Sequence, residues 1–358
     1  MLTSTSGSIR SRFRLAFLGV AAVLVAAACG TGSAPTGAPQ APGSGASTPS
    51  GPLAQQLTGA VSDAAALTHM QALQRIADEN GGNRAAGTPG YDASVDYVAG
   101  VLRGAGFEVS TPTYQVSADE DDDVAAGTGR NVIAQTRTGD PGRVVMIGAH
   151  LDSVPEGPGI VDDGSGVASL LEIATRLGTD PAVQNTVRFA FFGHEETGGQ
   201  GSTSYVESLS AEDRTKIKMY LNVDMVASPN GGYLVQGGMG DDEDAAGPAG
   251  SATIGRVLAD ELVRAGATAP EIIEFVGDDE AAFIEAGIPV GGAENGDAKK
   301  KTSEQAQAWG GQAGQVFDRC YHQACDRMDN VNREVLNRYL RALAGTLAHF
   351  ATSTEELR

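Results

Sequence analysis

Five short stretches carry the residue types of a metal centre: Gly148-Ala149-His150-Leu151-Asp152, Asp162-Asp163-Gly164-Ser165-Gly166, His194-Glu195-Glu196, Asn222-Val223-Asp224 and Cys320-Tyr321-His322. A pair of zinc ions needs nitrogen and oxygen donors together with one carboxylate able to reach both ions. Two histidines, two separate carboxylates and one shared aspartate make such a set. A glutamate next to a ligand glutamate can then serve as general base. Any one of these residues alone is usually a helix cap or a solvated loop residue, so the type and order of the whole group carry the argument. His194 stands apart, because His-Glu-Glu-Thr-Gly lacks the second histidine of the helical zinc-protease motif. It reads as a neighbour of the site. His69 and His349 fall in helical stretches and read as structural or surface residues.

The elements around these stretches alternate. Helical spacing runs over 61–79 and is stopped by Gly81-Gly82, and 91–103 is a second helix after the turn Gly87-Thr88-Pro89-Gly90. Strands are expected at 107–116, 131–136, 143–149, 186–192, 218–223 and 288–291, with 271–276 extended. Helices are expected at 165–177, 254–265, 281–286 and 333–350. The acidic run Asp119–Asp123 reads as a solvated hairpin tip in preference to a calcium site. Strands alternating with helices imply an α/β fold, a three-layer α/β/α sandwich on a mixed, mostly parallel sheet. In such sheets the active site lies beyond the carboxyl ends of the strands. His150 and Asp152, Glu195 and Glu196, and Asp224 each follow a strand there. That much negative charge in one crevice calls for a multivalent cation.

At these residues the chain resembles the co-catalytic di-zinc aminopeptidases, of the bacterial leucyl and secreted Streptomyces type. The resemblance spans roughly residues 61–350 and includes Asn83-Arg84-Ala85-Ala86-Gly87-Thr88-Pro89-Gly90 and the stretch from Gln305 to Asp326. It implies the zinc-dependent exopeptidase fold and two zinc ions per chain. Asp162 would bridge them, with His150 and Asp224 on one ion and Glu196 and His322 on the other. It further implies that Glu195 takes a proton from the attacking water and returns it to the leaving amine. Asp152 would hydrogen-bond the second nitrogen of His150, and Tyr321 would donate to the developing oxyanion. A Cys320–Cys325 disulfide would hold the loop that carries Tyr321 and His322.

The chain also departs from that family. Where the relatives have Gly-Arg-Ser-Asp-His, it has Val276-Gly277-Asp278-Asp279-Glu280. Asp278, Asp279 and Glu280 could therefore favour a basic first residue, or could face solvent and start the 281–286 helix. Asn337 and Arg341 stand where the relatives place acidic calcium ligands, so no calcium site is carried over. Trp309 reads as a packing residue or as part of the site mouth. Hydrolysis of the N-terminal residue of peptides is the leading function. The alternatives are a carboxypeptidase or amidohydrolase, a glutaminyl cyclase, and an inactive peptide-binding domain.

Arg10, Arg12 and Arg14 precede an apolar run that ends in small residues before Cys29, the pattern of an export signal over 1–28. Either Cys29 is lipidated, or the signal is a secretory one cleaved nearby. An uncharged Gly/Ala/Ser/Thr/Pro linker over 29–55 then leads to a catalytic domain at 56–355. In an exported chain, the close cysteines Cys320 and Cys325 read as a disulfide. The net charge of -20 excludes a nucleic-acid binder. Peptides are the expected partners, with membrane contact only through Cys29, and the chain is read as a monomer, exported and either membrane-anchored or secreted.

Overall fold

The computed structural model describes residues 51–118, 125–238 and 246–357. The central strand β5 (Asp140–His150) explains its own sequence. It lies between β6 (Asn185–Phe192) and β7 (Ile217–Asp224), parallel to both, so Val144–Ala149 is buried throughout. β10 (Val290–Glu294) extends the parallel set beyond β7. β8 (Leu234–Gln236) pairs antiparallel with β10, and β9 (Glu271–Ile273) closes that edge. On the other side β4 (Val132–Gln135) and β1 (Glu108–Ser110) add antiparallel strands, giving the order β1-β4-β6-β5-β7-β10-β8-β9. The sheet is mixed and mostly parallel, as expected.

Alternation along β5 divides the core in two. Val145, Ile147 and Ala149 pack with α1 (Pro52–Ala60), α2 (Asp63–Glu79), α3 (Pro89–Gly104), α4 (Gly164–Leu177), α7 (Ser251–Arg264) and α10 (Arg333–Thr352). Val144 and Met146 face the opposite layer, with α5 (Gln200–Ser208) and α8 (Glu280–Glu285). There Phe283 stacks on Tyr220 at 3.9 Å between ring centroids. Among the described residues no helix is long and apolar enough to cross a membrane.

Several sequence expectations need adjustment. Helix α1 begins at Pro52, inside the stretch assigned to the linker. Its Ala54 and Leu57 are buried, and it packs along α10. The uncharged composition hid an ordered helix that proline starts at its first turn. The expected strand 107–116 breaks at Thr111-Pro112 into β1 and β2 (Thr113–Val116). β2 pairs instead with β3 (Gly127–Arg130) as a separate hairpin. The run Asp119–Asp123 between them lies outside the described residues. Helices α5, α6 (Ala211–Lys216) and α9 (Ser303–Trp309) and strand β8 were not anticipated. α5 and α6 are too polar, and β8 too short, to carry a periodic signal.

Arg84 fixes the connection that leaves β5. Its side chain is fully buried and donates to the backbone carbonyls of Pro158, Leu151 and Gly159, while its amide donates to Ser153 Oγ at 2.9 Å. Arg84→Ala would leave the buried carbonyls of Pro158 and Leu151 without their donor, at about 1–3 kcal/mol each, while Gly159 O would keep Gly164 N at 3.1 Å. The expected result is a loss of about 2 kcal/mol or more in denaturant unfolding. A change within about 0.5 kcal/mol would show that water replaces the guanidinium.

Candidate metal centre

Parallel strands that end at the same level place their last residues side by side. β5 ends on His150, opposite Phe192 of β6, and β7 ends on Asp224, opposite Glu294 at the end of β10. The turn after β6 carries His194, Glu195 and Glu196. The loop before α4 carries Asp162 and Asp163. His322 comes from the segment between α9 and α10, closed by the Cys320–Cys325 disulfide.

These side chains meet. Asp162 turns one oxygen to each histidine: Oδ1 lies 3.0 Å from His150 Nε2, and Oδ2 lies 3.2 Å from His322 Nε2. Asp224 Oδ1 is 3.5 Å from His150 Nε2, and Glu196 Oε2 is 2.9 Å from His322 Nε2. The group is thus two donor sets with Asp162 in common. Donor atoms of His150, Asp162 and Glu196 all lie within 4.8 Å of one another, as do those of His150, Asp163 and Asp224. Asp163 therefore stands close by, but its Oδ1 is occupied as the cap of α4. It accepts from Gly166 N at 2.8 Å and from Met225 N at 3.1 Å.

The loop carrying Asp162 is held by Asp326, whose carboxylate accepts from Val161 N at 2.8 Å and Asp162 N at 3.0 Å. Asp326 is the last residue of the 305–326 stretch and had no role assigned from sequence. Backbone strain gathers here as well. Of the four non-glycine residues with positive φ among the described residues, three are His194 (59°), Met225 (46°) and His322 (57°). Such conformations cost of order 1–3 kcal/mol each and persist where the surrounding structure imposes them.

The electrostatics call for cations. Burial pushes Glu196 up to about 7, with Asp162 adding to the rise. Burial also lifts Glu195 well above the usual carboxylate range; His150 opposes the rise, and Asp279, Asp224 and Asp278 reinforce it. For the histidines burial works the other way, yet the carboxylates overcome it. His150 is raised well above its ordinary value by Asp224, Asp152 and Asp162, and His322 to about 10 by Asp162 and Glu196. Protonated imidazoles between carboxylates stand where a cation would satisfy both. Glu196 Oε1 and Asp224 Oδ1 are buried without a hydrogen-bond partner. Buried unpaired oxygens beside two imidazoles in a mixed N/O donor set fit zinc.

Other expected residues fall as follows. His150 Nδ1 lies 3.2 Å from the backbone oxygen of Asp152, with the Asp152 carboxylate at 3.8 Å. The second nitrogen of His150 thus meets the carbonyl of Asp152. The Asp152 carboxylate instead accepts from Glu195 N at 3.2 Å, tying the two strand ends together. Tyr321 stacks on His322 at 3.8 Å between centroids and borders the site cavity. His194 is buried beside the site and pairs through Nδ1 with Tyr114 Oη at 2.9 Å. His69 pairs with Tyr97 Oη at 2.7 Å, remote in role from the centre. Trp309 donates from Nε1 to Ala269 O and packs edge-on to Tyr233, a packing role.

The acidic trio divides. Asp279 and Glu280 are buried at the start of α8, and Glu280 Oε1 accepts from Gly277 N at 2.9 Å. Both are withdrawn from solvent, against the reading that they face it. Only Asp278 lines the site cavity of about 70 Å³, together with Glu195, Tyr321 and Glu294. Glu294 was missed from sequence. Burial pushes it up to about 7, against the pull of Lys299. Its signal is an acid in an otherwise small, apolar strand, Val290-Gly291-Gly292-Ala293-Glu294, whose parallel partner ends in Asp224.

Comparisons with known proteins bear on the family and the fold. The model of Peptidase family M28 matches residues 131–347. Leupeptin-inactivating enzyme 1 of Streptomyces exfoliatus is 45% identical over 282 residues, covering 77% of this chain and 59% of that protein. The chain thus spans little more than half the length of that relative. The probable lipoprotein aminopeptidase LpqL of Mycobacterium tuberculosis is 36% identical, over 79% of this chain and 84% of that one. Among solved structures, the zinc aminopeptidase BSAP from Bacillus subtilis superposes with a TM-score of 0.67 at 16% identity, over 83% of this chain and 97% of that chain. That likeness is one of fold.

Proposed function

Since the chain belongs to Peptidase family M28, we propose that it is an exported zinc aminopeptidase that removes the first residue of peptides. One observation carries the reading: Asp162 presents its two oxygens to two separate histidines, each with its own further carboxylate. His150 and Asp224 would hold one zinc, Glu196 and His322 the other, with Asp162 shared. Zinc at such a site supplies Lewis acidity toward the scissile carbonyl and toward water.

The chain's own residues do the rest. Glu195 borders the cavity, fixed by its amide on Asp152. It would take the proton of the attacking water and deliver it to the departing amine. Tyr321, on the same cavity wall, would donate a hydrogen bond from its hydroxyl to the carbonyl oxygen as charge develops there. The disulfide keeps Tyr321 and His322 on one short loop. A preference for a basic first residue is supported by Asp278 on the cavity wall.

The test is a panel of free-amine, N-acetylated and C-amidated peptides. Release of the first residue from free-amine peptides alone, whether or not the C-terminus is blocked, is the expected result. Cleavage at the C-terminus, cyclisation of N-terminal glutamine, or binding without turnover would each replace it with one of the other readings. Cys29 lies outside the described residues, and its lipidation is supported by the signal pattern and by the lipoprotein named among the relatives. Mass spectrometry of the mature protein should find Cys29 as a lipid-modified N-terminus. An unmodified N-terminus beyond Cys29 would make the protein simply secreted.

A further inference from the structure

Resting on the aminopeptidase reading, we infer that Glu294, with Asp278 and Asp297, forms the pocket for the side chain of the substrate's first residue and selects lysine or arginine there. Glu294 is 5% exposed, lines the cavity beside Glu195, and holds a buried Oε2 without a hydrogen-bond partner. A buried carboxylate in that condition is costly unless a cationic partner reaches it.

The surroundings define that partner. As the last residue of β10, in register with Asp224, Glu294 opens at the same strand end as the metal centre. Two divalent cations would offset the four carboxylates Asp162, Glu195, Glu196 and Asp224. Asp278, Glu294 and Asp297, on the same cavity wall, would remain uncompensated. Asp278 Oδ2 accepts from Gln236 Nε2 at 3.2 Å, a neutral donor. Lys299, which acts on Glu294 electrostatically, is exposed. Val276 and Met225 complete the wall with apolar surface. Such a cavity suits an alkyl chain ending in a positive charge: the methylenes lie on Val276 and Met225, and the head group reaches the acids. A leucine side chain would cover Glu294 and leave it unpaired.

The test compares kcat/KM for Lys-, Arg-, Leu- and Met-nitroanilides on the zinc-loaded full chain and on Glu294→Gln and Glu294→Leu. Zinc content and thermal melting verify each variant. The wild type should favour Lys and Arg, and Glu294→Gln should lower the Lys-to-Leu ratio on the order of ten- to a hundredfold, the scale of a hydrogen bond to a charged group. Glu294→Leu should invert the preference. Asp279→Asn, off the cavity wall, should keep the wild-type ratio. A wild type that prefers Leu, with ratios untouched by either variant, overturns the inference. So does an equal loss on all four substrates, which would make Glu294 a partner of the α-ammonium group common to them. If the variants fail to fold, inhibition of the wild type decides: lysinamide should compete better than norleucinamide, and the reverse order refutes the pocket. Failure of the aminopeptidase reading is distinguishable, since then none of the four free-amine substrates turns over.

Discussion

Glu195→Gln is expected to lower kcat by about a hundred- to ten-thousand-fold, the usual cost of losing a general base, while the protein still takes up zinc. Glutamine keeps the shape of the side chain and its wall of the cavity but cannot accept the proton. The amide of Glu195 still donates to Asp152, so the turn after β6 should stay in place. The oxygens facing the histidines belong to Asp162, Glu196 and Asp224. Metal content and activity should therefore separate in this variant. Turnover near the wild-type rate would remove Glu195 from the mechanism, and loss of zinc would make it a ligand.

The second large effect is expected at Asp162. Glu196→Gln should weaken chiefly the ion held with His322, and Asp224→Asn the ion held with His150. Asp162→Ala removes the oxygens facing both histidines at once. Its zinc affinity should fall at both sites by more than about a hundredfold, the upper end of what losing a mere supporting partner of a ligand costs. Activity should fall with it. The protein should still fold, because the loop is anchored by Asp326 through the backbone of Val161 and Asp162, which the substitution leaves intact. Retention of one tight zinc in Asp162→Ala would show that Asp163, the adjacent acid near His150 and Asp224, takes its place.

The legible parts of this fold are those where burial enforces a pattern. β5, β6 and β7 are buried on both faces, so their apolar runs and the polar residues that end them could be read directly from the sequence. α4 and α10 lie where helices were expected, at 165–177 and 333–350, and the structure adds their caps Asp163 and Asn332. α1 lacks charge and β8 is three residues long, so neither stands out from a linker or a loop. The candidate site was legible because its donors stand in short stretches of sequence, most of them at or just after strand ends. The residues that support it were not: Asp326 acts through backbone amides, and Glu294 acts through its register with Asp224, a contact across 70 residues. The acids 278–280 show the limit from the other side. Adjacent in sequence and alike in charge, they part ways once α8 buries Asp279 and Glu280 and leaves Asp278 on the cavity wall.

The central claim, two zinc ions sharing Asp162, is tested most directly by titrating zinc into the metal-free protein while following release of the first residue from a free-amine peptide. Activity should be absent without metal and reach its maximum only at two equivalents, with elemental analysis then finding two zinc per chain. Full activity at one equivalent, with one zinc per chain, would contradict it.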